Sequence, residues 1–230
     1  MGAMKKLAVG MAFCCLVYGN ATAQVSVAPV IIEAVQVQPG QVFEVLCQNW
    51  GEEAVGVSLS LALFDQQETG NVVFLEDETA RQKAAEVLSL DQDALLLGAH
   101  QQSSIQVKLN HTDFDNLYAV LFVQPNQVGV QTRFAILFLL STAGTEVMDM
   151  SVSPGIMEDD AVTFTVQNHG LRHGPWEGEV YLFDAADQLS EKHQVTSGLV
   201  LAGRSRDVRV PLPSWAHRVD IRSSQMGTSP

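Results

Sequence analysis

An all-β chain of two tandem sandwich domains is what this sequence predicts, and three observations carry the prediction. Apolar and polar residues alternate in short runs, and clusters of Gly, Pro, Asn and Asp separate the runs. One pattern occurs twice: residues 42–65 read VFEVLCQNWGEEAVGVSLSLALFD, and residues 161–184 read AVTFTVQNHGLRHGPWEGEVYLFD. The composition is globular, 47% hydrophobic and 17% charged over 230 residues, which suits one large or two small domains.

The repeat sets the architecture. Both copies contain Gln-Asn-x-Gly, and Leu-Phe-Asp follows at the same interval, so one offset carries Asn49 to Asn168 and Asp65 to Asp184. In each copy a strand alternates (Phe43, Val45, Cys47; Val162, Phe164, Val166) and stops at Asn-x-Gly, residues that tolerate positive φ. The next strand pairs back, through Val55, Val57, Leu59, Leu61 and Leu63 or through Val180 and Leu182. The likeness continues more weakly from Leu95, Leu97 and Gly98 into Ile105, Val107 and Leu109, matched by Leu199, Leu201 and Gly203 into Val208, Val210 and Leu212. Two copies of one small β unit, each of short alternating strands, predict Ig-like β-sandwiches.

Taken in chain order, residues 1–23 read as a secretory signal peptide. Lys5 and Lys6 precede the apolar residues 7–18, and Ala21-Thr22-Ala23 offers small residues before a cut at Gln24. The apolar run is short for a bilayer span, and Phe13 before Cys14 is too bulky for a lipoprotein signal. Residues 24–141 are the first expected domain and 145–223 the second, with Ser141-Thr142-Ala143-Gly144 as hinge and 224–230 as a polar tail. Residues 76–88, EDETARQKAAEVL, read as a short helix or ordered loop inserted in the first copy. Residues 134–140 are apolar on both faces: Phe134, Ile136, Phe138 and Leu140 on one, Ala135, Leu137 and Leu139 on the other. Such a strand is covered on one side by its own core and on the other by the second domain or a partner.

Charge and cysteine content exclude several functions. The formal net charge is −13, and removal of Lys5 and Lys6 from the 13 basic residues leaves 11 against 26 acidic ones. Such a surface opposes binding to nucleic acid or anionic lipid. Of the three cysteines only Cys47 lies beyond the signal segment, so an exported form has no intrachain disulfide; Cys47 sits in an apolar run and reads as a buried small hydrophobe. No Gly-x-Ser-x-Gly, His-Glu-x-x-His, P-loop or dinucleotide motif occurs, so no catalytic residue, cofactor or small-molecule substrate is expected. His169 and His173 would meet at a metal only on a helix, and Gly170, Gly174 and Pro175 oppose one; they read as a solvated loop. The acidic clusters at 158–160 and 76–78 lack the spacing of a calcium loop. Trp50, Trp176 and Trp215 read as residues tucked over sandwich ends.

The order of these elements resembles the PapD-like periplasmic chaperones, the subunit chaperones of chaperone–usher pili. The Pro39-Gly40 turn precedes a strand ending at Asn49. Leu96-Leu97-Gly98 precedes Ile105-Gln106-Val107-Lys108-Leu109. Asn116-Leu117-Tyr118-Ala119-Val120-Leu121-Phe122-Val123 follows with its Tyr, and Thr132-Arg133-Phe134-Ala135-Ile136-Leu137-Phe138 resembles the family's last strand of the first domain. The resemblance implies an exported protein, periplasmic or secreted and at most peripheral to a membrane. It implies a pilin-like or other surface-assembly subunit as partner, held as an added strand. In the family that last strand donates alternating apolar residues to the subunit, a role that falls here to Val128 and Val130. Two basic residues anchor the subunit's C-terminal carboxylate. Their positions fall at Val35 and Ala135, neither basic, with Arg133 on the same face as Ala135 as a substitute. The departure leaves a second expectation open, a structural or adhesive Ig-like module without donor-strand activity.

Overall fold

The computed structural model describes residues 25–126, 132–144 and 149–224. The first domain begins with β1 (Val25–Ala28), β2 (Ile31–Val35), β3 (Val42–Asn49), β4 (Val55–Gln66) and β5 (Val72–Leu75). It continues through α1 (Glu78–Val87), β6 (Leu88–Leu90), β7 (Ala94–Leu97), β8 (Gln102–Leu109), β9 (Asn116–Pro125) and β10 (Phe134–Ser141). One sheet runs β1-β3-β8-β6; the other runs β2-β10-β9-β4-β5, with β7 on the early half of β4. The chain changes sheets between β1 and β2 at Pro29, which has no N–H to give to either ladder. All pairings are antiparallel except β2 with β10.

The period of two sorts the side chains. Val45, Cys47, Ile105, Val107 and Leu109 face Val57, Ala119, Leu121, Ile136, Phe138 and Leu140 across the sandwich, all buried. Each large aliphatic or aromatic side chain so buried contributes about 1.5–3 kcal/mol relative to exposure. Cys47 is fully enclosed, and burial pushes its thiol pKa up to about 11, so it packs as a hydrophobe. The insertion forms α1, capped by Asp77, whose carboxylate accepts the Ala80 N–H at 3.0 Å. Ala84 of α1 joins the core, and Glu78 lies favourably in its first turn.

The second domain repeats the plan with fewer strands: β11 (Met150–Val152), β12 (Ile156–Met157), β13 (Ala161–Asn168), β14 (Gly174–Phe183), β15 (Leu189–Val200), β16 (Ser205–Pro211) and β17 (Arg218–Ser223). Strands β11, β12 and β16 pair with β13; β15 and β17 flank β14. Trp176 is fully buried and meets Phe164 edge-on at 5.5 Å. The indole lies over Gly178, where any Cβ would collide with its ring. Trp215 packs at the rim of this core, whereas Trp50 is exposed and donates its indole N–H to Ser26 Oγ at 2.9 Å.

The sequence repeat is a structural repeat. Asn49 and Asn168 both end their strands fully buried. Asn49 Nδ2 donates to the carbonyls of Glu53 (2.7 Å) and Gly98 (2.9 Å), and its Oδ1 accepts from Gly51 N–H. Asn168 Nδ2 donates to Arg172 (2.8 Å) and Val200 (3.1 Å), and its Oδ1 accepts from Gly170 N–H. One amide in each domain therefore ties the turn after the strand to a carbonyl on a later segment.

The two domains lock through specific bonds. Arg204 grips Asp65 with two contacts of 2.6 and 2.7 Å, and that hydrogen bonding holds the Asp65 carboxyl below its usual range. Gln66 bonds the backbone of Leu199 (2.8 Å) and Leu201 (3.1 Å), and Tyr118 Oη accepts from Ala202 N–H at 3.0 Å. Ser141, Thr142 and Ala143, at the start of the expected hinge, are bonded to the first domain. Ser141 ends β10 fully buried, Thr142 Oγ1 donates to Phe114 at 2.9 Å, and Ala143 carbonyl accepts from Gln36 at 3.3 Å.

Candidate functional site

β10 is flanked unequally. β9 pairs with its whole length, from Phe134 opposite Val123 to Ser141 opposite Asn116. On the other flank β2 covers only Leu137 to Ser141. The covering begins where Leu137 N–H donates to the Val30 carbonyl at 3.0 Å. By the alternation of a strand, Ala135 N–H and C=O point to that same flank, and no described strand pairs there. The early half of β10 is thus an open flank among the described strands, the kind of edge that accepts another strand.

Both faces of β10 are apolar, as the sequence predicts. Ile136, Phe138 and Leu140 are fully buried in the sandwich core. Ala135, Leu137 and Leu139 belong to a second cluster with Phe64, Phe122 and, from the second domain, Leu201. This outer face forms the floor of a cleft between the domains. Its cavity of about 220 Å³ has Leu137, Leu139 and Phe64 below, Leu199 and Leu201 as a wall, and Ile31 with Glu33 at the mouth. The volume lies under the roughly 300–1,000 Å³ of small-molecule sites and fits a side chain or two of an extended chain.

The sequence-predicted site residues fall in different places. Val128 and Val130 lie outside the described residues, as does the signal segment. Arg133 stands at the entry to β10, and its guanidinium is engaged. Its Nη1 and Nη2 donate to Glu76 Oε1 and Oε2 at 2.9 and 2.7 Å, and its plane lies 3.2 Å over the Phe122 ring. Arg81 reaches the same carboxylate at 3.2 Å. The Arg133 hydrogen bonds hold the Glu76 carboxyl below its usual pKa. Ala135 lies on the cleft face opposite Phe122. Val35 ends β2 opposite Ser141, six residues further along β10 than Ala135, or about 20 Å away at about 3.3 Å per residue. Val35 and Ala135 are therefore not brought together to grip one group.

Glu33 is the residue that sequence reasoning missed. It lies opposite Leu139, two before Val35 and on the same face, toward the second domain. Its Oε1 accepts from Arg172 Nη2 at 3.1 Å and lies 3.2 Å from His173 Nε2, at an angle too poor for a hydrogen bond. Glu33 is the one charge on β2, and a step of two from Val35 along the same face leads to it. His173 corrects the expectation of a solvated loop: its side chain is 1% exposed, enclosed between β2 and the Tyr118 ring at 5.8 Å. Burial pushes its pKa down, against the opposing pull of Glu33. The turn containing it is drawn in because Asn116 Nδ2 donates to the Leu171 carbonyl at 2.9 Å.

Among the described residues no three His, Cys, Asp or Glu side chains are placed to hold a metal, and no helix is long and apolar enough to cross a membrane.

No family model matches the chain, and no curated protein matches it in sequence. Its fold does match solved structures. The class 5 fimbriae chaperone CfaA aligns with a TM-score of 0.58 at 10% identity, over 90% of this chain and 94% of that one. A chain from the chaperone–tip adhesin complex of CFA/I fimbriae aligns at 0.57 and 9% identity, over 87% and 98%. The CsuC–CsuE chaperone–tip subunit pre-assembly complex of archaic chaperone-usher Csu pili of Acinetobacter baumannii gives 0.52 and 11%, over 82% and 91%. At such identities the likeness speaks for architecture. The chain has the fold of the PapD-like pilus chaperones, two Ig-like β-sandwich domains in tandem.

Proposed function

We propose that this is an exported, chaperone-like binding protein, and not an enzyme, that holds an extended segment of a pilin-like or other surface-assembly subunit as an added strand. The observation that carries the reading is the open early half of β10 beside an apolar interdomain cleft. An incoming strand would satisfy the Ala135 N–H and C=O through main-chain bonds and lay alternate side chains into the cleft. The complexes in which two structural neighbours were solved, each with a tip subunit, support a protein partner of that class. Val128 and Val130, just before β10, would supply donor side chains, and a periplasmic or secreted setting follows from the expected cut before Gln24. We assign the two units to residues 24–141 and 145–223.

A second reading, a structural or adhesive module without donor-strand activity, is favoured by one observation. Arg133 is committed to Glu76, and neither Val35 nor Ala135 supplies a cation in its stead. Co-expression with exported subunits in a periplasm separates the two. The chaperone reading expects a subunit to co-purify and to be protected from aggregation. It also expects Ala135→Pro, which removes one outward N–H, to abolish capture while the variant still folds. Capture unaffected by Ala135→Pro, or no capture by the parent protein, leaves the module reading standing.

A further inference from the structure

Where the turn between β13 and β14 meets the first domain, the contact is made of groups that one proton rearranges. The His173 side chain is 1% exposed there, enclosed between Glu33 of β2 and the Tyr118 ring of β9. Neither of its ring nitrogens has a hydrogen-bond partner in the protein, and Arg172 Nε and Asn116 Oδ1 beside it have none either. Among the described residues, four of the six buried side-chain atoms without a partner fall at this one contact. The rest of the interface is satisfied, with Arg204 on Asp65 and Gln66 on the backbone of Leu199 and Leu201.

The charges that face the imidazole come from three elements. On β2, Glu33 Oε1 lies 3.2 Å from His173 Nε2, and the same oxygen accepts from Nη2 of Arg172, the neighbour of His173 in the turn, at 3.1 Å. On β9, burial raises the Tyr118 pKa and keeps its hydroxyl neutral, with Asp65 and Arg204 beyond it as a closed pair. His169, in the same turn, is exposed and meets Ser151 instead. A proton on His173 would thus have almost no water, and a carboxylate already shared with an arginine. Loss of water outweighs the pull of Glu33 and sets the folded pKa below the ordinary 6.5. The docked ring is neutral, so its contribution is complete above 6.5 and is lost as pH falls through the lower folded value.

We propose that Glu33, Arg172 and His173 form an acid-released latch, which holds the β13–β14 turn against β2 at neutral pH and lets it go on acidification. The Asp65 carboxyl, held low by Arg204, keeps its charge over that range, so the other side of the interface stays closed. Release frees the cleft mouth at Glu33, whatever segment the cleft holds.

The test follows the mature protein by NMR between about pH 7.5 and 4.5, reading the imidazole signals and amide exchange. The Asn116 Nδ2 protons report docking, because they bond the Leu171 carbonyl of the turn. His173 is expected to titrate below 6.5. Asn116 exchange, corrected for its intrinsic pH dependence, is expected to speed by up to about tenfold per pH unit below that midpoint, the limit for one proton. His173→Phe keeps a ring without the charge and is expected to show one level of Asn116 protection throughout. If that variant does not fold, the parent titration still decides. A His173 midpoint at or above 6.5, no His173 titration in the range, or Asn116 protection unchanged across a low midpoint overturns the latch. So does pH-dependent protection that persists in His173→Phe.

Discussion

At the residue scale the buried asparagines are the most informative side chains. Each ties at least two carbonyls and one N–H together at the turn that follows its strand. Asn168→Ala is expected to destabilise the second domain by about 3 kcal/mol, because several buried polar groups lose their partner at once. Thermal unfolding checks this, and a change below about 1 kcal/mol would mean that water replaces the amide. The Gln-Asn-x-Gly repeat was legible in sequence, and so was the turn. The burial was not, since Asn is an ordinary turn former and only the fold shows Gly98 and Val200 carbonyls converging on it. Glu33 was missed for a related reason. An acid on a half-exposed strand is unremarkable until its neighbours Arg172 and His173, far away in the chain, are known.

At the element scale β10 holds the argument together. Its two apolar faces were legible from the unbroken apolar run of residues 134–140. Its unequal flanks were not, because a parallel partner from the start of the chain leaves no mark in the local pattern. Residues 76–88, read from sequence as helix or loop, contain α1, and Glu76 just before that helix fastens the entry of β10 through Arg133. That bond makes a pH prediction. The folded protein holds the Glu76 pKa below its usual 4.5, so the contribution is complete above that value and is lost as pH falls through the lower folded value. Glu76→Gln should therefore lower the melting temperature by about 2 °C at pH 7, the scale of a largely solvated ion pair, and by less near pH 3. An equal loss at both pH values would assign the effect to packing.

At the scale of the whole molecule, two sandwiches are held at a set angle by Asp65–Arg204, Gln66 and Tyr118, so the cleft is a built feature rather than a gap between loose domains. The tandem architecture was legible because a repeat with a constant offset cannot easily serve two different folds. The contacts between the copies were not legible. They fall on residues, such as Leu201 and Gln66, whose alternation pattern is also satisfied by an ordinary solvent-facing strand. The central claim is that an exported subunit adds its strand to the early half of β10. Hydrogen–deuterium exchange on residues 132–141, with and without a co-purified subunit, tests it most directly. The account predicts that the outward Ala135 amide slows markedly on binding, while Leu137, already bonded to Val30, changes little. Unchanged exchange at Ala135, with protection appearing on β15 or β17 of the second domain, would contradict it.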